Sequence, residues 1–256
     1  MGKVKATGLG AVQLALDPIR RGEWSFDETA LQLAEAGICV LSGMMGTKGE
    51  DYSTLATIRE TGGVRIDGNW EENLSAAKAN AEIAKKMGIG LVTFHAGFLP
   101  HDGNDPVRMV MLERLGMICG VFDEFGIRVG FETGQETAET LLGVLKELGR
   151  ATNAGVNFDP ANMILYGMGD PVEAMRALSS HVVQVHIKDA VPAKSAGEWG
   201  TEVAAGDGEV DWRGFFNVLR ESGIDCDLVI EREAGGERIE DVRRARELVE
   251  RMSAGR

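Results

Sequence analysis

Four short apolar runs each end in a side chain able to hold a cation, and no other feature constrains this chain as strongly. They read Val129-Gly130-Phe131-Glu132, Val156-Asn157-Phe158-Asp159, Val182-Val183-Gln184-Val185-His186 and Leu228-Val229-Ile230-Glu231. The terminal residues are 27, 27 and 45 positions apart. A strand, a crossover helix and two connections take roughly 30 residues. The first two intervals fit one such unit each, and the third fits one unit plus a long loop. With parallel neighbouring strands, Glu132, Asp159, His186 and Glu231 arrive at one end of one sheet. Two glutamates, an aspartate and an imidazole form a mixed oxygen and nitrogen donor set for a divalent cation.

The rest of the chain fits the same plan. Runs at 9–16, 38–41 and 91–95 read as further strands, and 63–67 is expected as another because the repeat needs one there. The first is mostly apolar, with Gln13 its one polar member, and Asp17-Pro18 breaks it. Later strands are expected at 127–131, 156–158, 182–187 and 228–230. Between them the spacing becomes helical. Ser25, with Glu28 three residues on, forms a capping-box pattern ahead of a helix over 26–36 that Gly37 ends. Leu74, Ala77, Ala81, Ala84 and Met87 share one face of a helix over 70–87. Helices over 107–125, from about 136, and over 171–178, 211–222 and 239–252 complete the alternation. Arg243, Arg244, Arg246 and Arg251 read as the solvated face of the last. Eight strand–helix units in 256 residues match a (β/α)8 TIM barrel, whose typical size is about 250 residues. No Pro/Ser-rich linker or charge run divides the chain, so one domain over 1–256 is expected. Active sites of such barrels lie at the C-terminal strand ends, where the four terminal residues fall.

Charge narrows the partners. A formal net charge of −13 repels phosphate backbones and anionic bilayers, which makes nucleic acid and membranes poor partners and leaves a small carbohydrate open. The three cysteines, Cys39, Cys119 and Cys226, include no C-x-x-C pair. Cys39 lies in an apolar run and is expected as a buried free thiol, which suits a reducing cytoplasm. Met1 leads into no long apolar core of a signal peptide. No stretch approaches the roughly 18 apolar residues of a membrane span.

Taken singly, each candidate ligand has a plainer explanation. An acid just past a strand can cap the next helix, and Glu132 before Thr133-Gly134 and Asp159 before Pro160 sit where turn residues do. A lone His after an apolar run can be a hydrogen-bonded wall residue. Together the weighing changes, because burying three carboxylates in one place without a cation is very unfavourable. Other residues fall near the same mouth. His95 ends the run at 91–95 and is a candidate for touching substrate. Lys188 follows His186 by two and points to the same side of an extended chain, to bind a substrate oxygen or pair with Asp189. Gln135 and Asn162 follow ligand strands and are candidates for binding hydroxyls. Trp199 is a candidate apolar wall over a sugar. Glu233 reads as a supporting or surface group, and His101 and His181 as structural or exposed.

The set Phe-Glu132, Phe-Asp159-Pro, Val-His186-Ile-Lys188-Asp189 and Val-Ile-Glu231-Arg232-Glu233 resembles the sugar phosphate isomerase/epimerase superfamily, with its xylose-isomerase-like barrel. The stretch Gly206-Asp207-Gly208-Glu209-Val210-Asp211 is also like that family. The likeness covers nearly the whole chain and is strongest from Leu91 onward. It implies one divalent ion on Glu132, Asp159, His186 and Glu231, manganese first, with magnesium or cobalt as alternatives. The donor chemistry also admits zinc. It implies a metal-dependent isomerase or epimerase of a sugar or sugar-like polyol, working by proton abstraction next to a carbonyl through an enediolate. Glu132 and Glu231 would then serve both as ligands and as the groups that pass the proton. A dimer or tetramer is the family-level expectation.

Rival readings share parts of this set. A lyase of the same superfamily, dehydrating a keto-inositol or cleaving a 3-keto-glycoside, needs the same first proton abstraction. A DNA-repair endonuclease on the same barrel needs a multi-metal cluster, more than the four histidines here, and a basic groove. A barrel that binds sugar without turnover is the non-enzymatic alternative. The pattern departs from ketose 3-epimerases of the family at Asn162, where they carry a His. It departs again after the ligand His, where they carry an Arg and the nearest cation here is Lys188. No second ligand set of the kind classical xylose isomerases hold is apparent.

Overall fold

The computed structural model describes residues 1–149, 153–195 and 197–254. The strands are β1 (Ala11–Ala15), β2 (Cys39–Met44), β3 (Leu91–Phe94), β4 (Arg128–Glu132), β5 (Ala154–Phe158), β6 (Val182–Ile187), β7 (Asp189–Val191), β8 (Thr201–Val203) and β9 (Asp227–Ile230). Seven of them form one parallel sheet in the order β1-β2-β3-β4-β5-β6-β9, wrapped into a nearly closed barrel. The antiparallel pair β7 and β8 stands apart, inside the long connection between β6 and β9. The helices are α1 (Gly2–Thr7), α2 (Asp17–Arg20), α3 (Phe26–Ala36), α4 (Leu55–Thr61), α5 (Trp70–Met87), α6 (Pro106–Asp123), α7 (Ala138–Leu148), α8 (Pro160–Leu165), α9 (Pro171–Leu178), α10 (Trp212–Glu221) and α11 (Arg238–Ser253).

Strand alternation divides the barrel into two chemistries. Val92, Phe94, Val129, Phe131, Val156, Phe158, Val185 and Ile187 are buried in the apolar core, together with Leu115, Leu141 and Phe215 of the helices. The rings of Phe94 and Phe131 meet edge to face at 5.6 Å, and Phe158 lies 5.7 Å from Phe215 of α10. The residues between them point the other way. Ser42, Thr93, Asn157, Gln184 and His186 are all fully buried, so the barrel's interior is polar. Gly130 makes room there, since a side chain would press on Thr93 and Asn157.

Local signals place the helix ends well. Ser25 accepts from the amide of Glu28 at 3.3 Å, and Gly37 and Gly88 stop α3 and α5 at φ of 65° and 71°. The strand expected at 63–67 does not form. Arg114, buried on α6, donates to the carbonyls of Val64 (2.8 Å) and Arg65 (2.9 Å), pairs with Asp67 and lies over the Trp70 ring. Those carbonyls are satisfied by a guanidinium instead of a ladder. β2 therefore pairs directly with β3, Gly43 opposite Val92, and the expected eight barrel strands become seven. Among the described residues β1 and β9 share no ladder, and an apolar cavity of about 690 Å³ runs along that seam between Val12, Leu228, Ile230 and Val242.

Two smaller expectations also fail. Cys39 is an exposed free thiol, because it opens β2 at the barrel's rim; Cys119, on the inner side of α6, is the buried one. Arg243 and Arg246 are not simply solvated: they donate to the carbonyls of Ala6 (2.8 Å) and Thr7 (3.0 Å) and dock α1 onto α11. Among the described residues no helix is long and apolar enough to cross a membrane.

Candidate functional site

β4, β5, β6 and β9 are consecutive neighbours in the sheet, so their C-terminal ends share one rim. There Glu132, Asp159, His186 and Glu231 each offer one donor atom, and these atoms all lie within 4.8 Å of one another. His186 and Asp159 are fully buried, Glu132 is 2% exposed, and the Glu231 side chain is 18% exposed. Glu231 is therefore the member nearest the mouth.

The Asp159 carboxylate does two things that sequence treats as alternatives. Its Oδ1 caps α8 by accepting from the amide of Asn162 at 3.0 Å. Its Oδ2 is buried with no hydrogen-bond partner. His186 Nδ1 is the matching orphan. It lies 3.3 Å from Glu231 Oε2, 3.5 Å from Glu132 Oε1 and 3.6 Å from Asp159 Oδ2. The other ring nitrogen, Nε2, is 2.9 Å from Gln13 Oε1 and 3.1 Å from Asn157 Nδ2, and with Nε2–H donating to Gln13 it is Nδ1 that faces the three carboxylates. Three carboxylates converging on one imidazole nitrogen in a dry site call for positive charge among them. A proton on His186 and the Lys188 ammonium supply it in the metal-free chain, and a divalent cation in place of that proton would engage all four donors. The donor set thus fits a divalent cation, with Gln13 fixing the tautomer as outer partners of ligating histidines do.

Electrostatics follow the same crowding. Burial pushes the His186 imidazole down, but Glu231 and Glu132 more than reverse that and hold it well above its usual value. Burial pushes Glu132 and Glu231 up; the charges of His95 and His186 on the first, and of His186 and Lys188 on the second, bring both below the ordinary carboxylate range. Asp159 goes the other way, because burial outweighs the help of Lys188 and His186. The interior fixes Glu132 further: Asn162 Nδ2 donates to its Oε1 at 3.0 Å and Asn157 Nδ2 to its Oε2 at 3.3 Å, with Gln184 Nε2 steadying Asn157 at 3.1 Å.

A cavity of about 670 Å³ opens over the cluster, within the usual size of small-molecule sites. His95, Asn162, Lys188 and Trp199 line it with Glu132 and Glu231. His95 Nε2 is 3.5 Å from Glu132 Oε1. Trp199 meets Tyr166 edge to face at 4.9 Å, making an aromatic wall. Gln135 is buried beside Tyr166 and is not part of the lining. Lys188 Nζ donates to Glu233 Oε2 (2.9 Å) and Glu231 Oε2 (3.1 Å), not to Asp189. Asp189 instead accepts from the amides of Gly206, Gly208 and Val210 and from Trp212 Nε1, tying down the loop after β6.

Sequence reasoning passes over Gln13, Asn157, Gln184 and Tyr166 as members of the site. The signal for three of them is present: Asn157 precedes Asp159 by two, Gln184 precedes His186 by two, and Gln13 is the polar exception in its strand. Polar residues in register with a ligand face the same way.

Beside the site, Glu136 is 5% exposed, and burial alone pushes its carboxyl up to about 8 from 4.5. It stays protonated in the folded chain while the unfolded chain has ionised. Its contribution is therefore full below pH 4.5 and is lost as pH rises through about 8. Glu136→Gln should leave urea stability unchanged at pH 4 and raise it by ~5 kcal/mol at pH 9. A constant difference between the two pH values would contradict this.

Comparison with known proteins agrees with the geometry. The model of the family described as "Xylose isomerase-like TIM barrel" matches residues 1–253. A solved xylose isomerase domain protein from Planctomyces limnophilus is 30% identical, with a TM-score of 0.92 over 99% of this chain and 92% of that one. L-ribulose 3-epimerase (14% identical, TM-score 0.74, 99% and 87% covered) shares the fold. So does the probable 3-DHS dehydratase AsbF, involved in petrobactin synthesis, from Bacillus anthracis (16%, TM-score 0.73, 97% and 91%). The protein YihM of Escherichia coli (strain K12) is 25% identical over 159 residues, 61% of this chain and about half, 47%, of that protein.

Proposed function

This chain belongs to the xylose isomerase-like TIM barrel family, and from that premise we propose that it is a metal-dependent isomerase or epimerase of a sugar or sugar-like polyol. One observation carries the reading: three carboxylates and an imidazole converge within 4.8 Å at the mouth of the barrel, with Asp159 Oδ2 and His186 Nδ1 buried and unpartnered. Glu132, Asp159, His186 and Glu231 would hold the ion, manganese first by their hard oxygen and imidazole character. When bound, the ion supplies Lewis-acid stabilisation of the charge that develops on a carbonyl oxygen as a neighbouring proton leaves.

The chain's own residues do the rest. Glu231, nearest the mouth and held ionised beside Lys188, takes the proton from the carbon next to the carbonyl. Glu132, fixed by Asn162 and Asn157, stands across the cluster to return a proton from the other side. Lys188 and His95 bind substrate oxygens, and Trp199 with Tyr166 covers an apolar sugar face and keeps water out. Asn162 splits its amide between Glu132 and Lys188 and can orient a hydroxyl through either. Gln135 is buried one layer further back, outside the lining.

The lining also bears on substrate charge. Asp17, Glu50, Glu132, Glu231 and Glu233 face the cavity, and Lys188 is the one Lys or Arg among the described lining residues. A phosphate dianion would meet mostly like charge. In heavy water with Mn2+, uncharged keto-sugars and keto-polyols should therefore take up deuterium next to the carbonyl. Their phosphorylated counterparts should do so at least ~10-fold more slowly per unit concentration. Mass-conserving products support isomerisation, and loss of water would assign the chain to the lyase chemistry instead. Sugar binding without any exchange would leave a non-catalytic barrel.

A further inference from the structure

We propose that Glu202 is a positioning residue that locks the strap over the site to the chain segment carrying Glu231. The two pieces come from different parts of the fold. β7 and β8 form the strap, with Ala190 opposite Glu202, and Trp199 lies at its turn, where Gly200 N–H donates to Leu165 O at 3.2 Å. Glu231 sits at the end of β9, and the next three residues, Arg232-Glu233-Ala234, are irregular backbone with no ladder.

Glu202 supplies the missing partners. Its Oε1 accepts from Arg232 Nη1 at 2.7 Å, from the Glu233 amide at 3.0 Å and from the Ala234 amide at 3.3 Å; its Oε2 lies 3.2 Å from the Ala234 amide. The Glu202 and Arg232 side chains are 8% and 11% exposed, so this is a nearly dry charge pair. Arg232 is held from behind by Asp241 of α11 at 2.8 Å. A single carboxylate thus satisfies two consecutive backbone amides and the guanidinium between the strap and α11. Charge-assisted bonds of this kind fix direction as well as distance. Glu231 is the residue immediately before this clamp, and its N–H is held by Ile187 O at 3.2 Å. With β6 on one side and Glu202 on the other, the backbone that carries Glu231 is pinned from both sides, and its carboxylate lies 3.3 Å from His186 Nδ1 and 3.1 Å from Lys188 Nζ.

The inference rests on the role proposed for Glu231, and its test is chosen to fail separately. Glu202→Ala, Glu202→Gln and Arg244→Ala would be compared with wild type in the full chain. Arg244 makes an exposed pair with Asp207 and controls for loss of an ion pair as such. Hydrogen exchange read by mass spectrometry on the metal-stripped protein should show the peptide over 230–236 exchanging about 10-fold faster in Glu202→Ala, with Glu202→Gln recovering part of the protection. Mn2+ titrations should show affinity weakened about 10-fold in Glu202→Ala, with kcat for deuterium uptake lowered more than KM is raised. Arg244→Ala should match wild type in all of these. Unchanged exchange over 230–236, or Mn2+ affinity equal to wild type, would overturn the proposal, as would a loss shared equally by Arg244→Ala. Should wild type bind no Mn2+, the proposed function fails while the exchange comparison still decides whether Glu202 holds the segment.

Discussion

Glu231→Gln is expected to lose solvent-deuterium exchange into substrate by about 10³-fold, with the fold and the cavity intact. The substitution keeps the shape and a hydrogen-bond acceptor for Lys188 but removes the basic oxygen. Glu231 is the reasonable place to find the base because its environment is asymmetric. One side faces His186 and the rest of the buried cluster; the other opens to the cavity and leaves the side chain 18% exposed. His186 and then Lys188, at 3.1 Å, hold it ionised. The measurement should be made with Mn2+ at saturation, so that weaker binding is not mistaken for slower chemistry. Glu132→Gln should fall comparably in net conversion, because a return of the proton to the opposite face needs a second group. A Glu231→Gln variant that exchanges at the wild-type rate would remove the base from the scheme.

The residues behind that prediction are readable in the chain because strand geometry is periodic and ligand chemistry is narrow. Four apolar runs with acid or imidazole ends, spaced by about one strand–helix unit, are enough to put Glu132, Asp159, His186 and Glu231 on one rim. What stays hidden depends on contacts between distant parts of the chain. Nothing local marks Gly63 to Asp67 as irregular; Arg114, fifty residues on, takes its carbonyls. Gln13 is 173 residues from His186, and its polar side chain in an apolar strand is visible while its partner is not. Lys188 has a neighbour in sequence, Asp189, and a stronger set of partners in space, Glu231 and Glu233. The strap formed by β7 and β8 is concealed for another reason: three-residue strands carry too little alternation to be told from loop.

Metal dependence of stability offers the sharper test of the cluster itself, since it needs no substrate. Stripped of cations, the chain holds carboxylates that repel one another in a dry site, and Asp159, with its orphan Oδ2, is the one whose pKa burial raises despite Lys188 and His186. Asp159→Asn removes that charge while an amide oxygen can still cap α8 in place of Oδ1. The stripped variant should therefore unfold at a temperature equal to or above that of stripped wild type, although a buried residue has been changed. Adding Mn2+ at about a hundred times its dissociation constant should raise wild type by roughly 5–10 °C, from the ~2.7 kcal/mol of linkage and the size of the chain. Asp159→Asn should show little or none of that rise, so the order of the two proteins reverses when the ion is added. His186→Ala should likewise fail to respond. A wild-type melting temperature indifferent to Mn2+, Mg2+, Co2+ and Zn2+ would mean that the four side chains share a proton and not a cation, and the chemistry assigned to Glu132 and Glu231 would fall with it.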